Sequence, residues 1–172
     1  MTSTSLLEAA FSHHVWATVR LIDACEELSS DQLQHVVPGT RGPIIETLAH
    51  IVDGDTWDLA ILEARNLADV ADARPDLPAL RRVMTANGAR WSSFLASSPD
   101  PEALVTEIDP TDGFRRVASV GMRLAGTLDH GSDHRSQICT AITSLGLRPP
   151  DLAVMTFGVE VGRVEESNGR VT

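Results

Sequence analysis

The sequence predicts an all-α protein, a four-helix bundle with a short irregular or β-hairpin excursion before the fourth helix. Three observations carry this expectation. Four segments repeat apolar residues at spacings of three and four. Capping residues, prolines and glycines stand where those helices should start and stop. One proline-rich stretch, 99–118, breaks the pattern. A chain of 172 residues suits a single domain spanning 1–172, with 165–172 expected as a mobile polar tail.

The first helix should start at Ser5, because Ser5 and Glu8 form the Ser-x-x-Glu signature of a capping box. Leu7, Phe11, His14, Thr18, Leu21, Cys25 and Leu28 then trace one seam, interrupted by the polar pair His14 and Thr18. After a loop with Pro38, Gly39 and Gly42, Pro43 suits the first position of a second helix. Ile44, Leu48, Ile51, Val52, Leu59 and Leu62 extend that helix to about residue 68, and 69–77 reads as a polar connection. A third helix is expected from near Pro78, with Leu80, Met84, Asn87, Trp91 and Phe94 on one face, ending before Ser97. The turn-rich run Asp109 to Gly113 lies between β-prone flanks, the basis for the excursion. Ser119 can cap the fourth helix, which runs to Leu145 and stops at Gly146, Pro149 and Pro150. Asp151 is placed to cap a short terminal helix.

Composition narrows the chemistry. Fourteen basic against 24 acidic side chains give a net charge of −10, which repels phosphate backbones and anionic lipid. All the basic residues are Arg, so Schiff-base, P-loop and kinase-type lysine chemistry is excluded, and the absence of Tyr removes a phenolic nucleophile. Two cysteines, Cys25 and Cys139, are too few for a disulfide framework and are expected to be buried hydrophobes. The first residues lack a basic, apolar leader, and no apolar run approaches the roughly 20 residues of a membrane span, so a cytoplasmic address is expected.

His130 and His134, four apart on the fourth helix, share a face and could bind one borderline ion such as zinc or nickel. The pair alone is weak, and without a Glu after His130 it is not the zinc-protease motif. His50, midway along the second helix, is the candidate third ligand; a core imidazole bonded to a carbonyl is the alternative. Gly54, one turn on, would leave room beside His50 for a metal or a ligand. His14 and Thr18 could face such a pocket or form a buried hydrogen-bonded pair. Trp57 and Trp91 could line a pocket or fill the core, and Gln137 could orient a ligand or cross-link helices. Arg135 is expected in an interhelical ion pair, and His13 and His35 in solvent.

These segments together resemble the DinB-like family of metal-dependent helical proteins. The stretch Phe11 to Thr18, with Trp16 and Ala17, is similar to the family's first-helix aromatic-Trp-Ala-Asn run. Glu46 to Ile51 resembles its second-helix histidine segment. His130 and His134, followed by Arg135, Ser136, Gln137 and Ile138 and then Gly146 and Pro149 to Asp151, resembles its fourth-helix signature and exit. The resemblance implies a divalent metal, zinc or nickel, on His50, His130 and His134, with other positions open to water or substrate. Ser136 stands where the family usually has Gly, and Thr18 where it often has Asn; neither removes a ligand.

Three histidines with an open position are the pattern of a catalytic zinc site. The resemblance further implies a transferase using a metal-activated low-molecular-weight thiol of the mycothiol or bacillithiol type. His134 replaces the acidic residue more common in the mycothiol-dependent isomerase branch. The alternatives are a hydrolase activating water at the metal and a non-enzymatic metal-binding stress protein. The expected partners are a small-molecule substrate and, as a candidate assembly, a homodimer, with neither nucleic acid nor membrane.

Overall fold

The computed structural model describes residues 5–70 and 76–167. The described residues form α1 (Leu6–Cys25), α2 (Ser30–Leu33), α3 (Ile44–Leu62), a 3-10 turn (Leu67–Asp69), α4 (Leu77–Ala96), β1 (Leu104–Ile108), β2 (Arg115–Ser119), α5 (Val120–Ser144) and α6 (Val154–Glu160). The mostly helical class agrees with expectation, and the excursion is an antiparallel hairpin in the register Leu104 to Ser119 and Ile108 to Arg115. Residues 71–75 of the polar connection and 168–172 of the expected tail lie outside the described residues.

Local chemistry accounts for most boundaries. Ser5 and Glu8 form the capping box that starts α1, and Ser119 caps α5 by accepting from Met122 N–H. α5 ends in a Schellman motif, with Gly146 in the left-handed region at φ 78° and Leu147 N–H donating back to Ile142. Pro43 is the N-cap of α3 rather than its first helical residue.

Some expectations need correction. α3 stops at Leu62, well before residue 68. It ends in a second Schellman motif, in which Arg65 N–H donates to Ala60 and Ala64 N–H to Ile61. Ala64 holds the left-handed position at φ 54° where a glycine would have announced the stop. α2 was not expected; its own capping box, Ser29 with Gln32, is the signal that marks it. Leu7 is exposed rather than part of the seam. The N-cap of α6 is Ala153, while Asp151 instead accepts from Ala153 N–H and Thr156 Oγ1.

α1 and α3 each pack against both α4 and α5. Two apolar clusters form the interior. The larger holds Leu21, Ile22, Leu48, Ile51, Leu80, Met84 and Ile138; the smaller holds Phe11, Leu59, Trp91 and Leu124. Between them along each helix come buried polar residues: His14 and Thr18 on α1, Asp55 on α3, Asn87 on α4, Thr127 and Arg135 on α5. A polar layer thus crosses the interior at one level of the four long helices.

Candidate metal centre

His50 on α3 and His130 and His134 on α5 converge. One turn separates the two α5 histidines, and α3 lies against α5, so a helical repeat and one packing contact suffice to gather three imidazoles. Ring centroids are 4.7 Å apart for His50 and His130, 4.9 Å for His50 and His134, and 4.6 Å for His130 and His134. The rings meet nearly edge to face, and each offers one nitrogen within 4.8 Å of the others. The Nε2 atoms of His50 and His130 are 2.9 Å apart.

This donor set fits a borderline divalent ion. Two nitrogens on a tetrahedral zinc stand about 3.4 Å apart for bonds of about 2.1 Å, and the His50 and His130 pair at 2.9 Å needs only a modest opening to reach that. Burial first, then the charge of Arg41 and the neighbouring imidazoles, lowers the His50 pKa to about 4. Burial, with the His134 charge next, also lowers that of His130, against an opposing pull from Asp55. Both rings therefore favour the neutral, ligating form at neutral pH. His134 Nδ1 is buried with no hydrogen-bond partner, a buried lone pair or N–H that folding alone leaves unsatisfied.

Gly54 lines the cleft beside His50, as its spacing suggests. A β-carbon there would lie 2.8 Å from His130 Cε1, so the glycine makes room for the His130 ring.

A cleft of about 630 Å³ opens on His50 and His130, within the range of small-molecule sites. Trp57 lines it, as one of the alternatives held, while Trp91 is core. The hairpin supplies one wall through Glu107, Arg116 and Ala118. Glu107 ties this wall down. It accepts from Trp57 Nε1 on α3 at 2.8 Å, from Arg116 Nη1 at 3.3 Å and, in a closer contact, from Arg123 Nη2 on α5. Arg123 also reaches Asp58 at 3.1 Å, and Thr127 Oγ1 donates to Asp58 at 2.7 Å. Burial pushes the Glu107 carboxyl up, but hydrogen bonds from Arg123 and Trp57 and the two Arg charges outweigh it and hold it below its ordinary value. For Asp58 burial dominates and raises the carboxyl.

His14 and Thr18 do not line this cleft; they belong to the buried polar layer. His14 Nε2 donates to Asp55 at 2.9 and 3.1 Å, and Trp91 Nε1 donates to Asp55 Oδ2 at 2.9 Å. Arg135 Nη1 donates to His14 Nδ1 at 3.0 Å and to Thr18 Oγ1 at 3.1 Å. A guanidinium only donates, so His14 carries its proton on Nε2. Burial lowers the Arg135 pKa to about 10, with Asp55 pulling it back up. Removing one partner of such a buried charged set costs about 3–5 kcal/mol.

Sequence reasoning missed Asp55, although its spacing of four from both Ile51 and Leu59 places an acid on the apolar stripe. Gln137 accepts from Arg41 N–H at 2.8 Å and donates to Asp133 at 2.9 Å, so it joins the loop before α3 to α5. His13 is half-buried rather than solvated and donates to the Leu152 carbonyl at 2.8 Å. Cys25 is buried and its thiol pushed up to about 12 by burial; Cys139 is half-buried and also raised.

Fold and site together define a class: a helical protein that gathers three imidazoles from two helices beside an open cleft. The DinB family sequence profile matches residues 1–159, and the chain belongs to the DinB family. None of the curated proteins matches it.

Proposed function

We propose that this protein is a metal-dependent enzyme built on a four-helix bundle, with one divalent cation, zinc or nickel, held by His50, His130 and His134. The cleft beside them takes a small-molecule substrate and a low-molecular-weight thiol, and the reaction is thiol transfer. A cation at this site would supply Lewis acidity, lowering the pKa of a thiol brought against it.

One observation carries the thiol reading. Among the described residues lining the cleft there is no Cys, Ser or Thr, and the chain has neither Lys nor Tyr. Of the three carboxylates lining the cleft, Asp58 and Glu107 are committed to Arg123, and Asp53 is not free either. This supports a nucleophile taken from solution, a thiol in the reading proposed and water in the hydrolase alternative. Both cysteines have raised pKa values, the opposite of an activated thiol. Trp57, Met122 and Val70 give the cleft an apolar body.

The test joins metal content to a thiol-consumption screen on untagged protein. About one equivalent of divalent metal is expected for a one-site protein, with loss in His134→Ala. Electrophile turnover should require added thiol. Equal turnover without thiol would transfer the assignment to a hydrolase, and a tightly held metal without turnover would favour a non-enzymatic binding role.

A further inference from the structure

We infer that the buried Asp55–His14–Arg135 network is a positioning device that aims the two α5 histidines at His50. The inference rests on the metal reading above and assigns work to residues outside the histidine cluster.

The network touches every long helix. His14 and Thr18 come from α1, Asp55 from α3, Trp91 from α4 and Arg135 from α5, each nearly or fully buried. It also flanks the ligating side chains. Arg135 follows His134 and Gly131 follows His130, so each lies about 100° around α5 from a histidine. Asp55 is five residues past His50, about 140° around α3. The network therefore holds the flank of each helix beside the imidazoles.

The fit beside His130 is close. A β-carbon on Gly131 would lie 2.3 Å from His14 Cε1 and 2.8 Å from Arg135 Nη1. His14 thus packs against the α5 backbone beside one histidine, while its Nδ1 holds the residue next to the other. Through Asp55 the same ring is tied to the helix that carries His50. The axial rotation and height of α5 relative to α3 are set by this ring, and those two quantities decide whether three imidazole nitrogens meet. A metal site gains affinity from such preorganisation, and loss of supporting contacts typically costs about 10–100-fold.

Asp55→Asn is the sharpest probe. Both carboxylate oxygens accept from N–H groups, so in either orientation the amide would turn an NH₂ towards the donor of His14 or Trp91. Thr18→Val is milder and isosteric, removing one acceptor from Arg135. Leu80→Ala is the control for general destabilisation. Leu80 is fully buried in the larger apolar cluster, about three turns of α4 from Trp91.

The measurement is Co²⁺ affinity by competition with a chromophoric chelator, together with the cobalt ligand-field spectrum and helical circular dichroism of each apo protein. Asp55→Asn should keep its helical signal, bind Co²⁺ about tenfold or more weakly and change the spectrum. Thr18→Val should lose affinity several-fold, which carries the inference if Asp55→Asn fails to fold. Leu80→Ala should melt lower with affinity within about twofold of wild type. Wild-type affinity and spectrum in folded Asp55→Asn or Thr18→Val would overturn the positioning role. So would equal weakening in Leu80→Ala. Wild-type protein that binds no Co²⁺, with His50→Ala indistinguishable from it, would overturn the metal reading and this inference with it.

Discussion

The imidazole of His130 occupies the space a side chain at Gly54 would fill, with 2.8 Å between its Cε1 and the position of a β-carbon there. A glycine inside a helix costs about 1 kcal/mol relative to Ala. Its place on α3, four residues past His50, is explained by the ring it admits.

Gly54→Ala should therefore separate metal binding from folding. The apo protein should keep its helical circular dichroism, since Ala favours the helix. The His130 ring must shift, so divalent-metal affinity should fall about tenfold or more. Calorimetric titration with Zn²⁺ reads the change; unaltered affinity would mean that the ring position does not matter to binding.

Chelation should lower the melting temperature without unfolding the protein at room temperature. Each fully buried side chain such as Leu21, Leu48, Ile51 or Leu80 contributes about 1.5–3 kcal/mol of apolar burial, so the core outweighs a single ion. Circular dichroism before and after treatment with a chelator checks this. Collapse of the helical signal would point to a structural metal, as in small domains that unfold without one.

The double substitution Cys25→Ala, Cys139→Ala should retain metal and any thiol-dependent turnover. Neither cysteine belongs to the histidine cluster, and burial raises both thiols away from reactivity. The expected cost is packing energy of about 1–2 kcal/mol, read as a lower melting temperature. Loss of turnover with metal and fold intact would place the nucleophile in the protein.

Glu107→Gln should loosen the hairpin wall of the cleft. The folded protein holds the Glu107 carboxyl below its ordinary value, so its contribution is present above the unfolded-state pKa and is lost as pH falls through the lower folded value. At pH 7 the variant should be less stable by about 1–3 kcal/mol. The gap from wild type should narrow as the solution is acidified below the ordinary carboxylate range. Asp58 shifts the opposite way and is coupled to Glu107 through their shared Arg123. A gap independent of pH would assign the Glu107 contribution to packing rather than charge.

Much of the candidate site could be read from the chain because its signals are local. The four-residue step from His130 to His134 puts both rings on one face of any helix, and Ser5, Ser119 and Gly146 mark helix ends through contacts within a few residues. Where the local signal is muted the boundary is hidden: the left-handed Ala64 ends α3 without a glycine to announce it.

Helical class, a break in the helical pattern before α5 and the paired histidines were thus determined by the sequence itself, through periodicity and capping that act within a turn or two. Tertiary structure alone decided that the His14 ring would be clasped between Asp55 and Arg135. It alone brought Glu107 on the hairpin to Arg123 and Trp57, and filled the Gly54 notch with His130. Those partners lie 16 to 121 residues apart. Their meeting depends on how whole helices rotate and stack, which spacing along one strand of chain does not encode.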